Sequence, residues 1–407
     1  MSVVLIGGGQ GAAQTIMSLR QGGYEGAISL VSDEAYPPYQ RPPLSKAYMK
    51  GDMEEERLFL RPHDWYAQQS VDMKLGVRAL SIDSAVKSVA LAGGDTIAYE
   101  KLVIATGSRP RPVPIKGADA DGVFDLRTLD DVKRIRPHMR EGRRIVIVGA
   151  GYIGLEAAAV ARQMGLEATV IELADRVLAR VTSPLISAFF EKVHKDAGVK
   201  IVTGAGVSEF RSEGGVFQAA LLDNGDECAA DIALVGIGIL PNEELAKEAG
   251  VVCDNGIVVD EDARTSDPDV FAVGDCTTRP LVHYGRRGRL ESVHNAIEQG
   301  KLAAAAILGK PRPAEEAPWF WSDQFDLKLQ IVGLSEGYDD VVVRGDMNAR
   351  KFAAFYFREK KLIAVDAVNS PPEFLISKKL IAAGASPDPA RIKDAGVSMK
   401  DIAAESL

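Results

Sequence analysis

Cysteine is scarce in this chain: three residues in 407, Cys228, Cys253 and Cys276, lie far apart and form no C-x-x-C pair. That spacing encodes neither a structural zinc site, nor an iron–sulfur cluster, nor a dithiol redox centre. The five histidines form no cluster with metal-ligand spacing either. No apolar run approaches the ~20 residues that a membrane-spanning helix needs. Positive charge is also short, with 48 Lys and Arg against 57 Asp and Glu for a net charge of -9. The general basic field of a nucleic-acid binder is therefore missing. The first strand begins at residue 2, leaving no room for a signal peptide, and the expected location is cytoplasmic.

The remaining composition is that of an ordinary globular protein, 46% hydrophobic and 26% charged, with length enough for two or three domains. Its organising stretch is the first one. Ser2-Val3-Val4-Leu5-Ile6 is an apolar strand that runs into Gly7-Gly8-Gly9-Gln10-Gly11-Ala12, where small residues open a helix. As G-x-G-x-x-A, Gly7 permits the tight turn, Gly9 lets backbone approach a pyrophosphate, and Ala12 allows helix and strand to pack closely. The diphosphate then rests on the helix N-terminus, where free N–H groups and the dipole favour an anion.

Alone, such a turn is a weak signal. The chain repeats it, however: Ile145-Val146-Ile147-Val148 leads into Gly149-Ala150-Gly151-Tyr152-Ile153-Gly154, again a strand, G-x-G-x-x-G and an Ala-rich helix. Two fingerprints predict two dinucleotides. Each has an acid at the end of its second strand, Asp33 lying 26 residues after Gly7 and Glu172 lying 23 after Gly149. A carboxylate there binds ribose hydroxyls. Asp33 by itself reads as a solvated strand end, and the double fingerprint is what favours the ribose role. Glu172 favours NADH, since it would repel a 2′-phosphate, although Arg176 and Arg180 follow it.

Between the fingerprints, Tyr36-Pro37-Pro38-Tyr39-Gln40-Arg41-Pro42-Pro43-Leu44-Ser45-Lys46 is expected to be a stiff, non-helical loop. Arg41 and Lys46 on it suit a cation held near a phosphate or an electron-rich ring, or else charges that simply face water. Ser45 is expected to cap a short helix. Residues 51–75 read as charged and irregular, and 76–104 as short antiparallel strands around Gly93-Gly94-Asp95. Strand Lys101–Ile104 ends in Ala105-Thr106-Gly107. Glu156 is expected in the first turn of the second fingerprint helix, complementing its dipole or standing beside the nicotinamide.

Farther on, Asp223-Asn224-Gly225-Asp226 predicts a hairpin turn. The buried strand Val270–Val273 ends at Gly274-Asp275, placing Asp275 at a ligand crevice or in a simple turn. A basic loop, Arg286-Arg287-Gly288-Arg289, precedes a helix from about Val293 to Leu308. From Trp319-Phe320-Trp321-Ser322-Asp323-Gln324 onward, strands near 329–332, 340–343 and 352–357 and helices near 371–383 and 397–405 predict a third, smaller domain. The fold class is α/β, with two Rossmann-like dinucleotide-binding domains and a C-terminal α+β domain.

Taken together, these motifs resemble the ferredoxin reductases of bacterial oxygenase systems, a glutathione-reductase-like flavoprotein class that also holds rubredoxin reductases. The specific parts are the Arg41-Pro42-Pro43-Leu44-Ser45-Lys46 loop and the Trp321-Ser322-Asp323-Gln324 strand, together with Val273-Gly274-Asp275 and Glu291-Ser292-Val293-His294-Asn295-Ala296. The resemblance implies domains of 1–113 plus 241–316 for FAD, 114–240 for NAD and 317–407 at the C-terminus. It also implies an NADH:ferredoxin reductase that passes single electrons to a [2Fe–2S] ferredoxin feeding a haem monooxygenase or ring-hydroxylating dioxygenase.

By the same resemblance Gly7, Gly9, Gly11, Ala12, Asp33, Arg41, Ala79, Ala105, Thr106, Gly107, Arg127, Asp275, Val293 and Trp321 contact FAD. Gly149, Gly151, Ile153, Gly154 and Glu172 hold NADH. Lys46 pairs with Glu156 for catalysis. Disulfide reductases of this fold carry a cysteine pair where this chain has prolines and Lys46. Ferredoxin docking is expected from a local basic patch drawn from Arg286, Arg287, Arg289, Lys301, Lys378, Lys379 and Lys400. The alternatives are a rubredoxin reductase and a non-enzymatic NADH-sensing flavoprotein like the apoptosis-inducing factors. No nucleic acid, membrane or metal is expected as a partner.

Overall fold

Strand Ser2–Ile6 sends alternate side chains into two apolar layers, Val3 and Leu5 into one, Val4 and Ile6 into the other. A strand covered on both faces needs an unbroken apolar run, and this one has it. The computed structural model describes all 407 residues, which divide into two compact units. The first comprises Met1–Gln40, Glu55–Arg109 and Leu240–Pro318, and the second Arg41–Glu54, Pro110–Ile239 and Trp319–Leu407. No helix is long and apolar enough to cross a membrane.

In the first unit five parallel strands lie in the order Val270–Ala272, Lys101–Ile104, Ser2–Ile6, Ala27–Ser32, Val71–Leu75. Helices Gln10–Gln21 and Val293–Ile307 supply Ala12, Ile16, Leu302 and Ala303 to the core on one face. The other face buries Ala79, Ile82, Val89 and Leu91 of a three-stranded antiparallel sheet. Residues 51–75 are more regular than expected. They include helix His63–Gln68 and the edge strand Val71–Leu75. That strand is hard to read because Asp72 and Lys74 interrupt its apolar residues, as an edge tolerates and a central strand does not. Arg286–Gly288 is likewise no free loop but a strand paired antiparallel with Thr277–Leu281.

The second unit holds a parallel sheet ordered Lys200–Thr203, Glu167–Glu172, Arg144–Val148, Ile232–Val235, Val123–Asp125. Beside it lie Val207–Glu213, Val216–Leu222 and Glu227–Ala229, the last two joined by the expected turn at 223–226. Its C-terminal part is an antiparallel sheet ordered Trp319–Gln324, Leu327–Gly333, Lys361–Val368, Lys351–Arg358, Asp340–Asp346. Lys361–Val368 is not among the strands expected from the sequence, although its whole interior is buried. Arg344, 6% exposed, donates to the carbonyls of Ile392, Asp394 and Val397 and so ties the last helices to that sheet.

The proline–lysine loop is also more ordered than expected. Pro42–Ser45 makes one 3-10 turn and Ala47–Lys50 a short α-helix. Proline at the start of a helical turn costs nothing, because its missing N–H would have had no partner there. Ser45 does not cap the helix, since it lies inside the preceding turn and its hydroxyl is used elsewhere.

Candidate functional site

Each fingerprint is built from one glycine that the turn requires and one that leaves room. In the first unit Gly7 has φ +109° and a Cβ there would stand 2.2 Å from the Ala105 carbonyl oxygen. Gly149 in the second unit repeats this, with φ +102° and the Gly236 oxygen at 2.4 Å. A side chain at either place would push apart neighbouring strand ends. Gly9 and Gly151 differ: a Cβ on either would meet no atom within 4 Å. Both precede helix N-termini, Gln10–Gln21 and Tyr152–Gln163, whose first amides have no carbonyl within the helix to receive them. Open space in front of free N–H groups fits a pyrophosphate, and the two cradles fit the adenine dinucleotides FAD and NADH.

Around the first cradle the candidate residues are held by partners that the sequence does not single out, Asn242, Ser108, Thr277 and Gln299. The Thr106 hydroxyl donates to the Asn242 carbonyl at 2.7 Å, while the Asn242 amide donates back to the Thr106 carbonyl at 2.9 Å. Ala105-Thr106-Gly107 is thereby closed. Asp275 accepts from the Ser108 hydroxyl at 3.1 Å. Gln299, fully buried, accepts through one oxygen from the Gly274 N–H (2.8 Å), the Thr277 hydroxyl (2.9 Å) and the Asn295 amide (3.1 Å). Val293 is the first residue of its helix, whose cap is Ser292. Asp33 stands exposed just beyond strand Ala27–Ser32, 3.3 Å from Arg78, with oxygen sites open to a ribose. Ala79 packs in the core with Val4 and Ile6.

In the second unit Glu172 ends its strand with both oxygens engaged, one by the Ala150 N–H at 2.6 Å and one by the Ala174 N–H at 2.9 Å. The carboxylate thus braces the glycine turn and keeps lone pairs for a ribose. Arg176 is engaged within its own segment. Its guanidinium donates to the Thr182 and Ala179 carbonyls and to the Ser187 hydroxyl. Arg180 is exposed. Ile153, 44% exposed, lies in the first turn of the helix, and Gly154 packs against the Gly149 carbonyl. Arg41 donates to the Arg127 carbonyl at 2.9 Å.

Glu156 is a buried acid of this unit that pairs with a lysine. It lies in the second helical turn rather than the first and is 1% exposed, so complementing the dipole is not its role. Its Oε2 accepts from Lys46 Nζ at 2.6 Å and from Ser45 Oγ at 2.6 Å. Its Oε1 accepts from Ser322 Oγ at 2.7 Å. A buried carboxylate is tolerated only when paired and hydrogen-bonded, and here both conditions are met. Lys46 is 18% exposed, so one end of the pair reaches solvent or ligand. Trp321, on the same strand as Ser322, is half-buried beside Trp319, whose ring carries Lys378 at 5.1 Å.

A second buried acid, Asp366, lies in the same unit. Thr182 and Tyr356 both donate to its Oδ2, at 2.5 and 2.8 Å. Burial pushes its pKa up to about 6 against those two hydrogen bonds. Burial raises the thiols of Cys253 and Cys276 to about 11 and that of Cys228 above its ordinary value, which disfavours the thiolate that redox chemistry requires.

Two of the expected docking arginines are engaged within the fold. Arg287 donates to the Val259 and Thr278 carbonyls, and Arg289 to Asn255 and Glu291. Lys301, Lys379 and Lys400 are exposed, and so is Arg286.

Residues 1–300 match the pyridine nucleotide-disulphide oxidoreductase family, and 319–403 match the reductase C-terminal family. Putidaredoxin reductase CamA of Pseudomonas putida is 43% identical over 99% of this chain and 97% of its own. The probable ferredoxin reductase CtmF of Castellaniella defragrans is 44% identical over 93% of each chain. Among solved structures, a covalent putidaredoxin reductase–putidaredoxin complex matches with TM-score 0.97 and 42% identity, covering 100% of this chain and 98% of that one.

Proposed function

This chain belongs to the pyridine nucleotide-disulphide oxidoreductases, among the ferredoxin reductases, and we propose that it is the NADH:ferredoxin reductase of an oxygenase system. It is an FAD- and NADH-dependent oxidoreductase that delivers electrons to a [2Fe–2S] ferredoxin. Bound FAD supplies the conversion of a two-electron hydride donor into single electrons. The ferredoxin in turn feeds a haem monooxygenase or ring-hydroxylating dioxygenase. The observation that carries this reading is the duplicated cradle, open at Gly9 and Gly151, in a chain whose buried ion pair Lys46–Glu156 stands in place of reactive thiols.

Within that reading Gly7, Gly9, Gly11, Ala12, Asp33, Ala79, Ala105, Thr106, Gly107, Asp275 and Val293 are assigned to FAD, with Arg41, Arg127 and Trp321. Gly149, Gly151, Ile153, Gly154 and Glu172 are assigned to NADH. Lys46 provides a cation for hydride transfer and Glu156 is its buried counter-charge. The segments 1–113 and 241–316 serve FAD binding, 114–240 NAD binding, and 317–407 the C-terminal domain. Docking rests on local positive charge at Arg286, Lys301, Lys378, Lys379 and Lys400, with Arg287 and Arg289 holding their own strand in place. The cytoplasm is the compartment proposed, where NADH is supplied.

The test is NADH-dependent reduction of cytochrome c with and without an added [2Fe–2S] ferredoxin. A large stimulation that weakens with ionic strength is expected. Equal rates without ferredoxin, or stimulation by a rubredoxin alone, would overturn the assignment of the acceptor.

A further inference from the structure

We infer that Ser322 is a positioning residue for the Lys46–Glu156 pair, the last donor in a one-way hydrogen-bond chain that begins at His194. The inference rests on the reading that this pair serves hydride transfer.

The chain can be followed atom by atom. In strand Trp319–Gln324, Ser322 and Gln324 point to the same side because side chains alternate, and both are fully buried. The Gln324 amide nitrogen donates to Ser322 Oγ at 3.1 Å. That bond fills a lone pair of the hydroxyl and leaves its single proton for Glu156 Oε1, 2.7 Å away. With the Gln324 nitrogen so used, its carbonyl oxygen faces His194 Nε2 at 2.9 Å. Only a ring protonated at Nε2 can donate there. His194 Nδ1 is buried without a partner, as the acceptor nitrogen of that tautomer would be.

Direction is what this arrangement provides. If Gln324 were turned over, its oxygen would face Ser322 and draw the hydroxyl proton away from Glu156. Its NH2 group would then need an unprotonated Nε2, which moves the His194 proton to Nδ1, a buried nitrogen with no acceptor. The Glu156 carboxylate can only accept, so Ser322 donates to it, Gln324 turns its NH2 group to Ser322, and His194 carries its proton on Nε2. Burial holds the His194 pKa down to about 4, so the ring stays neutral at ordinary working pH. A buried nitrogen without a partner costs stability that an apolar side chain would avoid. Packing alone does not account for a histidine here.

The consequence concerns the two oxygens of Glu156. Lys46 and Ser45 both bind Oε2, which leaves Oε1 to Ser322. Without Ser322 nothing holds Oε1, and only Ser45 is left to set the carboxylate against Lys46, so the ammonium is less tightly positioned.

The test compares Ser322→Ala, Ser322→Thr and Glu156→Gln in the holoenzyme by rapid-mixing reduction with NADH. Ser322→Ala is expected to lower the limiting rate about tenfold, with FAD retained and the apparent NADH affinity within about twofold. Ser322→Thr, which restores the hydroxyl, is expected to recover most of the rate. A wild-type limiting rate in Ser322→Ala, or failure of threonine to rescue it, overturns the positioning role. Glu156→Gln separates the two ideas. A wild-type rate there overturns the role of the ion pair itself, whereas a slow Glu156→Gln beside a normal Ser322→Ala overturns only the role of Ser322.

Melting of the holoenzyme gives a readout that does not depend on turnover. Ser322→Ala is expected to lower the melting temperature in the native background and to change it little in a Glu156→Leu background. Equal losses in both backgrounds would show that Ser322 does not act through Glu156.

Discussion

Lys46 Nζ and Glu156 Oε2 stand 2.6 Å apart although 110 positions separate them, and the carboxylate is almost wholly buried. Removing one partner of such a pair leaves a charge that water cannot reach. Lys46→Ala is therefore expected to destabilise the fold by about 3 kcal/mol. It is also expected to slow reduction by NADH without releasing FAD. Thermal melts and rapid-mixing reduction check the two parts, and reduction at the wild-type rate would count against the catalytic role.

The paired glycines should fail in different ways. Gly7→Ala forces a methyl group to 2.2 Å from the Ala105 oxygen at φ +109°, so the expected outcome is a poorly folded protein. Gly9→Ala meets nothing within 4 Å and has an extended backbone that alanine accepts. It should melt like the wild type as apoprotein and bind FAD much more weakly. Gly151→Ala should do the same for NADH while leaving FAD bound. Flavin fluorescence titration and NADH titration read these effects, and normal FAD affinity in Gly9→Ala would show that the cradle is not the phosphate site.

Glu172 braces the Ala150 turn, and with the ribose role proposed for it Glu172→Ala should raise the KM for NADH about tenfold. NADPH should gain little, because the donors of Arg176 are already taken by Thr182, Ala179 and Ser187. Steady-state kinetics with both nucleotides decide this. Efficient turnover of NADPH by the variant would mean that Arg176 or Arg180 is free to bind the extra phosphate.

Asp366 supplies a pH dependence with a definite sign. Its folded pKa, about 6, lies above the ordinary 3.8, so folding takes up a proton between those values. The burial cost is full above pH 6 and is relieved as pH falls toward 4; across that window it amounts to on the order of 3 kcal/mol. Asp366→Asn keeps an acceptor oxygen for Thr182 and Tyr356. It should melt higher than the wild type at pH 8, and the difference should shrink as pH falls toward 4. His194 contributes in the opposite sense: its pKa falls from 6.5 to about 4, so the stability it contributes is complete above 6.5 and lost as pH drops toward 4. Because both act at once, the comparison must be between variants at each pH. An Asn variant that is less stable at pH 8 would show that the two hydrogen bonds to the carboxylate outweigh its burial.

Local pattern was enough for the strand–glycine–helix units. Val3 to Ile6 and Ile145 to Val148 are apolar runs that end in glycine, and the two turns follow from backbone sterics that only glycine satisfies. The acids Asp33 and Glu172 were legible for the same reason, since a fixed strand–helix–strand length puts them at the carboxyl edge of the sheet. The family resemblance implied the Lys46–Glu156 pair, and only the tertiary structure added the burial of Glu156 and its bonds to Ser45 and Ser322. Its donors come from two segments, the adjacent Ser45 and Lys46 on one and Ser322 on the other, both far from Glu156 in sequence, and no periodicity connects them. The same holds for Gln299 under Gly274, Asn242 against Thr106 and His194 behind Gln324. Hydrogen bonds between distant segments depend on where each chain segment is placed by the packed core, whereas a turn or a strand depends on its own few residues.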